Sequence, residues 1–155
     1  MGGVASSSTY NGDGLRMNHT VSGATTNYTW DVARGLPVVL QEGRNTYVYG
    51  LDLISVYTDD LEHGTTARDY YFSDGLGSTV TLARDSASNE ASAWTYDAFG
   101  EVRSKSGTLS TSMLFTGEQF DVEAHLSQAG KDIGLYYLRA RYRGLVKMHL
   151  QAYLT

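Results

Sequence analysis

"YYFSDGLGSTVTLARDSASNEASAWTYDAFGEVR" occupies residues 70–103 and carries the clearest pattern in the chain. Val80 and Leu82 point one way along an extended strand, with Thr79 and Thr81 pointing the other. Further on, Trp94 and Tyr96 share a face opposite Ala93 and Thr95, and the polar link "RDSASNE" joins the two runs. Alternation of period two on both sides of a polar link reads as two antiparallel strands. The phrase "YDAFG" then ends the second strand. Tyr96 supplies packing. Asp97 takes the first position of a four-residue turn, with its carboxylate accepting backbone N–H groups, and Gly100 takes the fourth.

Looser copies of this aromatic, Asp and Gly phrase lie on either side. They are "YNGDGLR" at 10–16, "WDVARGLP" at 30–37, "FSDGLGS" at 72–78 (with Asp74, Gly75 and Gly77) and "LFTGEQFD" at 114–121 (with Gly117 and Glu118). A strand-turn unit repeating every 15–23 residues or so cannot bury its own apolar face, so each unit must pair with its neighbours. "PVVLQ" and "TYVYG" flank "EGRN", which reads as a hairpin with a loop of about four residues. Pro37 stands at a strand start, where a missing N–H is tolerated. The fold expected is all-β, with antiparallel hairpin repeats building a curved sheet or shell segment.

Two stretches read differently. "EAHLSQAGKD" lacks β-branched residues and ends near Gly130, so a short helix near 123–131, or an extended loop, is expected. "GLYYLRARYRG", from Gly134 to Gly144, alternates as one strand with Tyr136 and Tyr137 on opposite faces. The organisation expected is a frayed N-terminus over 1–9, degenerate repeats over 10–69, core motifs over 70–144, and a divergent stretch over 145–155.

Composition narrows the function classes. The chain has 155 residues, 17 Gly, 12 Tyr and a formal net charge of −5. Phosphate binding needs a basic face, so no nucleic-acid partner is expected. No cysteine is present, which removes thiolate chemistry and sulfur-bound zinc. No apolar run approaches the ~20 residues of a membrane helix, and "MGGVASSSTY" has no signal-peptide pattern.

The acidic group Asp59, Asp60, Glu62 and His63 reads as a solvated loop rather than a cation site. "NGDG" at 11–14 lacks the later ligands of a calcium loop and reads as a turn. The four histidines show no metal-binding spacing. Asn18-His19-Thr20 and Asn27-Tyr28-Thr29 fit the glycosylation acceptor pattern. No cofactor and no metal are expected. Trp94, Tyr136 and Tyr137 are the candidate aromatics for stacking on a sugar ring, against the plainer role of cross-strand packing.

Taken in order, "YFSDGLGSTVTLARDS", "WTYDAFGEVRSKSG", "LFTGEQFD" and "GLYYLRARY" resemble the RHS repeat-associated core, the tyrosine–aspartate repeat family. The resemblance covers residues 70–142, about half the chain, and weaker repeats extend it to residue 10. It implies a bacterial protein of polymorphic-toxin or toxin-complex type, with relatives among animal teneurins. Repeats of that family spiral into a hollow shell, the core module closes one end, and a variable C-terminal toxin lies inside. Export or cell-surface display follows from the same resemblance.

Many family members also cut themselves just after this region, with aspartates as the proposed catalysts. Here the pattern departs from the family. "HLSQAGKDI" at 125–133 is inserted, and "RARY" continues as "RGLVKMHLQAYLT" in place of the Asp-Pro segments. The reading is therefore a truncated, non-catalytic structural segment of a shell. Its expected partners are neighbouring repeats or another copy of itself, with a toxin or carbohydrate as further candidates. The alternatives are a carbohydrate- or protein-binding surface module and the remnant of an aspartic self-cleaving core.

Overall fold

A computed structural model describes residues 6–33, 35–60, 64–128, 131–139 and 142–144. Ten strands follow one another as a meander: β1 Ser6–Tyr10, β2 Arg16–Val21, β3 Ala24–Asp31, β4 Val38–Glu42, β5 Asn45–Tyr49, β6 Leu53–Asp60, β7 Thr65–Ser73, β8 Thr79–Arg84, β9 Ala91–Tyr96 and β10 Val102–Ser106. Each hydrogen-bonds to the next in a single ten-stranded antiparallel sheet. Three further strands, β11 Gln119–Gln128, β12 Lys131–Tyr137 and β13 Tyr142–Gly144, form a second sheet. The all-β, antiparallel expectation holds, and β8 pairs with β9 as the alternation requires.

Alternation decides which face is buried. Tyr28, Val39, Tyr47, Val56, Tyr71, Leu82 and Trp94 come one from each strand of β3–β9, and together they form the core row. Tyr47 lies directly opposite Val56, and Tyr71 opposite Leu82, so the row is continuous across hairpins. Leu109, Met113 and Leu114 lie against it from the connection after β10. Tyr136 of β12 completes the cluster. The second sheet therefore caps the apolar face of the first.

Several local expectations change. The stretch near 123–131 is not a helix: its residues up to Gln128 continue β11, paired with β12 through Leu126↔Ile133 and Gln128↔Lys131. Strand pairing overrides the helix-tolerant composition there. The single strand expected over 134–144 is two strands, β12 and β13, separated by a reversal in which Arg139 has φ +42°. The N-terminal residues from Ser6 onward form β1, with Ser7 opposite Thr20 and Ser8 opposite His19. Glu42 pairs with Asn45, so the β4–β5 turn has two residues rather than about four. β7 runs through residues 69 and 70, so the boundary expected there falls inside a strand: the stretch 10–69 shares one sheet with residues up to 106, and β11–β13 lie in the second sheet. The stretch 145–155 lies outside the described residues.

Candidate functional site: a clasped sheet and its polar cleft

The Asp and Gly phrase folds into one five-residue turn, used repeatedly. At Asp97 the backbone N–H donates to Glu101 O (2.9 Å), and Gly100 N–H donates back to Asp97 O (3.1 Å). The Asp97 Oδ1 accepts from the N–H groups of Phe99 (2.8 Å) and Glu101 (3.0 Å). Asp74 repeats this with Leu76, Gly77 and Ser78, and Asn11 repeats it with Asp13, Gly14 and Leu15. The glycines at the fourth position have φ of +77°, +81° and +91° for Gly14, Gly77 and Gly100. Burial acts to raise the Asp74 pKa, but the donors from Ser78 and Leu76 outweigh it and hold the carboxyl below its usual value.

Leu114 makes the same backbone turn without a side-chain acceptor: Leu114 N–H bonds Glu118 O, Gly117 N–H bonds Leu114 O, and Gly117 has φ +68°. "WDVARGLP" is a looser case. Asp31 accepts from Ala33 N–H, but Gly35 falls one residue later than the turn glycine of the other copies.

Gly100 carries a second constraint. A Cβ there would stand 2.6 Å from Phe115 Cδ1, whereas at Gly77 the nearest atom would be 3.9 Å away. Gly77→Ala is therefore expected to cost the left-handed backbone strain alone, about 1–2 kcal/mol. Gly100→Ala adds a clash worth about 1–3 kcal/mol more. Urea midpoints measure the difference, and equal midpoints would show that Phe115 yields freely. Gly134 is also a close approach: its added Cβ would meet Phe120 Cζ at 2.1 Å, so the bare backbone of β12 is where that ring lies.

Two of these turns are fastened by adjacent residues. Tyr136 OH donates to Gly100 O (3.0 Å) and Tyr137 OH donates to Gly14 O (3.0 Å). Tyr136 OH also accepts from Phe115 N–H, and Tyr137 OH from Arg16 N–H. In a flat sheet, eight steps of about 4.8 Å would separate the β1–β2 turn from the β9–β10 turn by about 38 Å. Neighbouring tyrosines cannot span that distance. The sheet curves so that its first and last turns approach β12 from opposite sides, without closing into a barrel: among the described residues β1 pairs only with β2, and β10 only with β9.

Arg16 anchors the same region. Its guanidinium is fully buried between the rings of Tyr28 and Tyr137, 4.6 Å from each centroid. It makes a fork onto Asp121, Nη1 to Oδ2 and Nη2 to Oδ1, and Nη2 also donates to Gln119 Oε1 at 3.2 Å. Trp30 Nε1 donates to Arg16 O (2.8 Å), which fixes the backbone behind it. Just beyond Tyr137, at the same end of β12, Arg139 donates to Pro37 O and to Glu118 Oε1 (3.1 Å).

Beside this node lies a cleft of about 550 Å³, lined by His19, Tyr28, Glu42, Asn45, Ser112 and Asp121 among others. Glu42 accepts from Tyr28 OH (3.3 Å), Tyr47 OH (2.6 Å) and Ser112 Oγ (2.6 Å). Burial first, and then the Glu42 charge, push the Tyr28 and Tyr47 hydroxyls well above the ordinary tyrosine value, so both stay protonated as donors.

The residues singled out by sequence thus divide into groups. Asp74, Gly77, Asp97, Gly100 and Gly117 build turns, Gly75 sits inside one, Glu118 closes another and holds Arg139, and Tyr96 OH donates to Thr79 O (2.6 Å). Trp94, Tyr136 and Tyr137 are not available for stacking on a ligand: they are 5%, 2% and 1% exposed. Their rings fill the space between the two sheets, where apolar area is removed from water. Sequence reasoning missed Arg16, Glu42 and His19, whose partners are remote in the chain. Comparison with known proteins returns no matching family model, no matching curated protein and no matching solved structure.

Proposed function

We propose that this chain is a non-catalytic structural segment of an RHS-type β-shell, of the kind that encloses or presents a C-terminal toxin. The observation that carries this reading is the clasp. Tyr136 and Tyr137 of a capping sheet hold the first and last turns of a curved meander. Most of the distinctive side chains are engaged in joining cap to wall, which is the work of a scaffold. Two wall edges, β1 and β10, offer backbone groups where neighbouring repeats or another copy would add. The burial of Trp94, Tyr136 and Tyr137 takes support away from a sugar-stacking surface.

Three measurements on the purified chain test the reading. Sedimentation at micromolar concentration should show dimers or small oligomers formed through the edges. Intact mass should stay constant over days, and a glycan panel should give no binding. A discrete fragment that vanishes in Asp97→Asn or Asp121→Asn would instead mark a self-cleaving core. A clean 17.0 kDa monomer would mean that the edges are covered, removing the support for edge-to-edge growth.

A further inference from the structure

We propose that the cleft between β2–β5 and the 110–121 segment is a binding site for a guanidinium or ammonium group, on a polypeptide side chain or a small amine. This inference is independent of the shell reading. The cleft, at about 550 Å³, is of the size that takes a small ligand or one long side chain. The charged members of its lining, Glu42 and Asp121, are both acceptors. Glu42 is half-buried and forms no ion pair among the described residues. Its three donors are neutral hydroxyls, so its charge is solvated but not neutralised. Asp121 also lines the cleft, and the Arg16 fork balances its charge. The local sum is one uncompensated negative charge.

His19 supplies the second, independent observation. It lines the same cleft and is only 7% exposed. Its Nδ1 lies 2.7 Å from Ser8 Oγ, while its Nε2 is buried with no hydrogen-bond partner. A buried polar atom left unmatched is costly, and a partner from outside the chain, a water or a ligand donor, relieves that cost. A donor brought to Nε2 selects the tautomer in which Nδ1–H donates to Ser8 Oγ and Nε2 accepts. Asn45 Oδ1 is an acceptor too, taking the Thr58 hydroxyl at 2.8 Å. A ligand group that can only donate, and carries positive charge, fits Glu42, Asp121 and His19 together. Guanidinium and ammonium are such groups. An anion would meet Glu42 unshielded.

The test titrates the full chain with agmatine, with a capped glycine–arginine–glycine peptide, and with acetate as the anionic control. The His19 ring signals are followed by NMR. Agmatine and the peptide should shift them saturably in the millimolar range, and acetate should not. Glu42→Gln removes the charge and should weaken binding at least about tenfold. Ala24→Trp fills the cleft from an exposed position on β3, with no buried hydrogen bond disturbed, and should weaken binding as much while leaving the thermal midpoint unchanged. A response to agmatine but not to the peptide supports the cleft and identifies a free amine as the source. No response to either probe, an equal response to acetate, or unchanged affinity in Ala24→Trp overturns the proposal.

Discussion

Arg16→Met is expected to lower stability by about 3–5 kcal/mol, because it leaves a buried carboxylate with no counter-charge. Arg16 is fully buried and Asp121 is 6% exposed, so water cannot replace the lost partner without opening the contact between cap and wall. The guanidinium also fills the space between the Tyr28 and Tyr137 rings, and two cation–π contacts go with it. Arg16→Lys should recover little, since an ammonium cannot make the fork onto Asp121. The companion variant is Arg16→Met with Asp121→Leu, which removes both charges. It should be more stable than Arg16→Met alone, because breaking a buried pair costs more than replacing it. Urea denaturation of the three variants measures this. A loss under about 1 kcal/mol for Arg16→Met would mean that Asp121 finds other partners.

The second large effect is expected in alkali. Tyr28, Tyr47 and Tyr71 are 6%, 4% and 8% exposed, and burial is the leading reason that all three hydroxyls are held above the ordinary value of 10.0. The Glu42 charge adds to the effect in each case. Below pH 10 both folded and unfolded chains carry neutral phenols, and the full stability is present. Above it the unfolded chain releases protons that the folded chain retains. Each such group then removes about 1.4 kcal/mol per pH unit, or about 4 kcal/mol per unit for three. For a domain with the usual ~5–15 kcal/mol, the fold should be lost within about one to four units above pH 10. Tyr49, pushed up to about 12 by burial, steepens the lower part of that window. Tyrosinate absorbance and far-UV circular dichroism should change together. Titration of all tyrosines near pH 10, with the sheet intact, would contradict the burial of these three rings.

How much of this was legible beforehand depended on the range of each interaction. Turns at Asp74 and Asp97 were readable because both ends of each turn lie within five residues, and Asp, Asn and Gly have short-range preferences that survive any context. The copy at Leu114 carries no side-chain signal: the backbone there is shaped by packing against Ser78, Thr79 and Tyr136. The face of β9 was readable from period-two spacing, as Trp94 confirms by its burial. The strand replacing the helix expected near 123–131 was not, because its partner β12 supplied what the local composition lacked.

Tyr136 and Tyr137 were placed on opposite faces by the same spacing, yet both are buried. A strand lying between two packing surfaces has no outer side, and a single sequence does not record that. The Arg16 and Asp121 pair has no local signature at all, its members standing 105 positions apart in the chain.

The clasp also dictates an order of assembly. Every hairpin of the meander joins neighbours in the chain, so each can form as soon as its own residues have been synthesised, with little loop to close. The Tyr137 bond to Gly14 spans 123 residues, and the Arg16 bond to Asp121 spans 105. Neither can exist until the cap has been made. Until then the wall holds its apolar row open to water, with nothing to fix its curvature. The contacts that fix the curvature are thus the ones with the longest stretches of chain to close, and loop entropy weighs most on them.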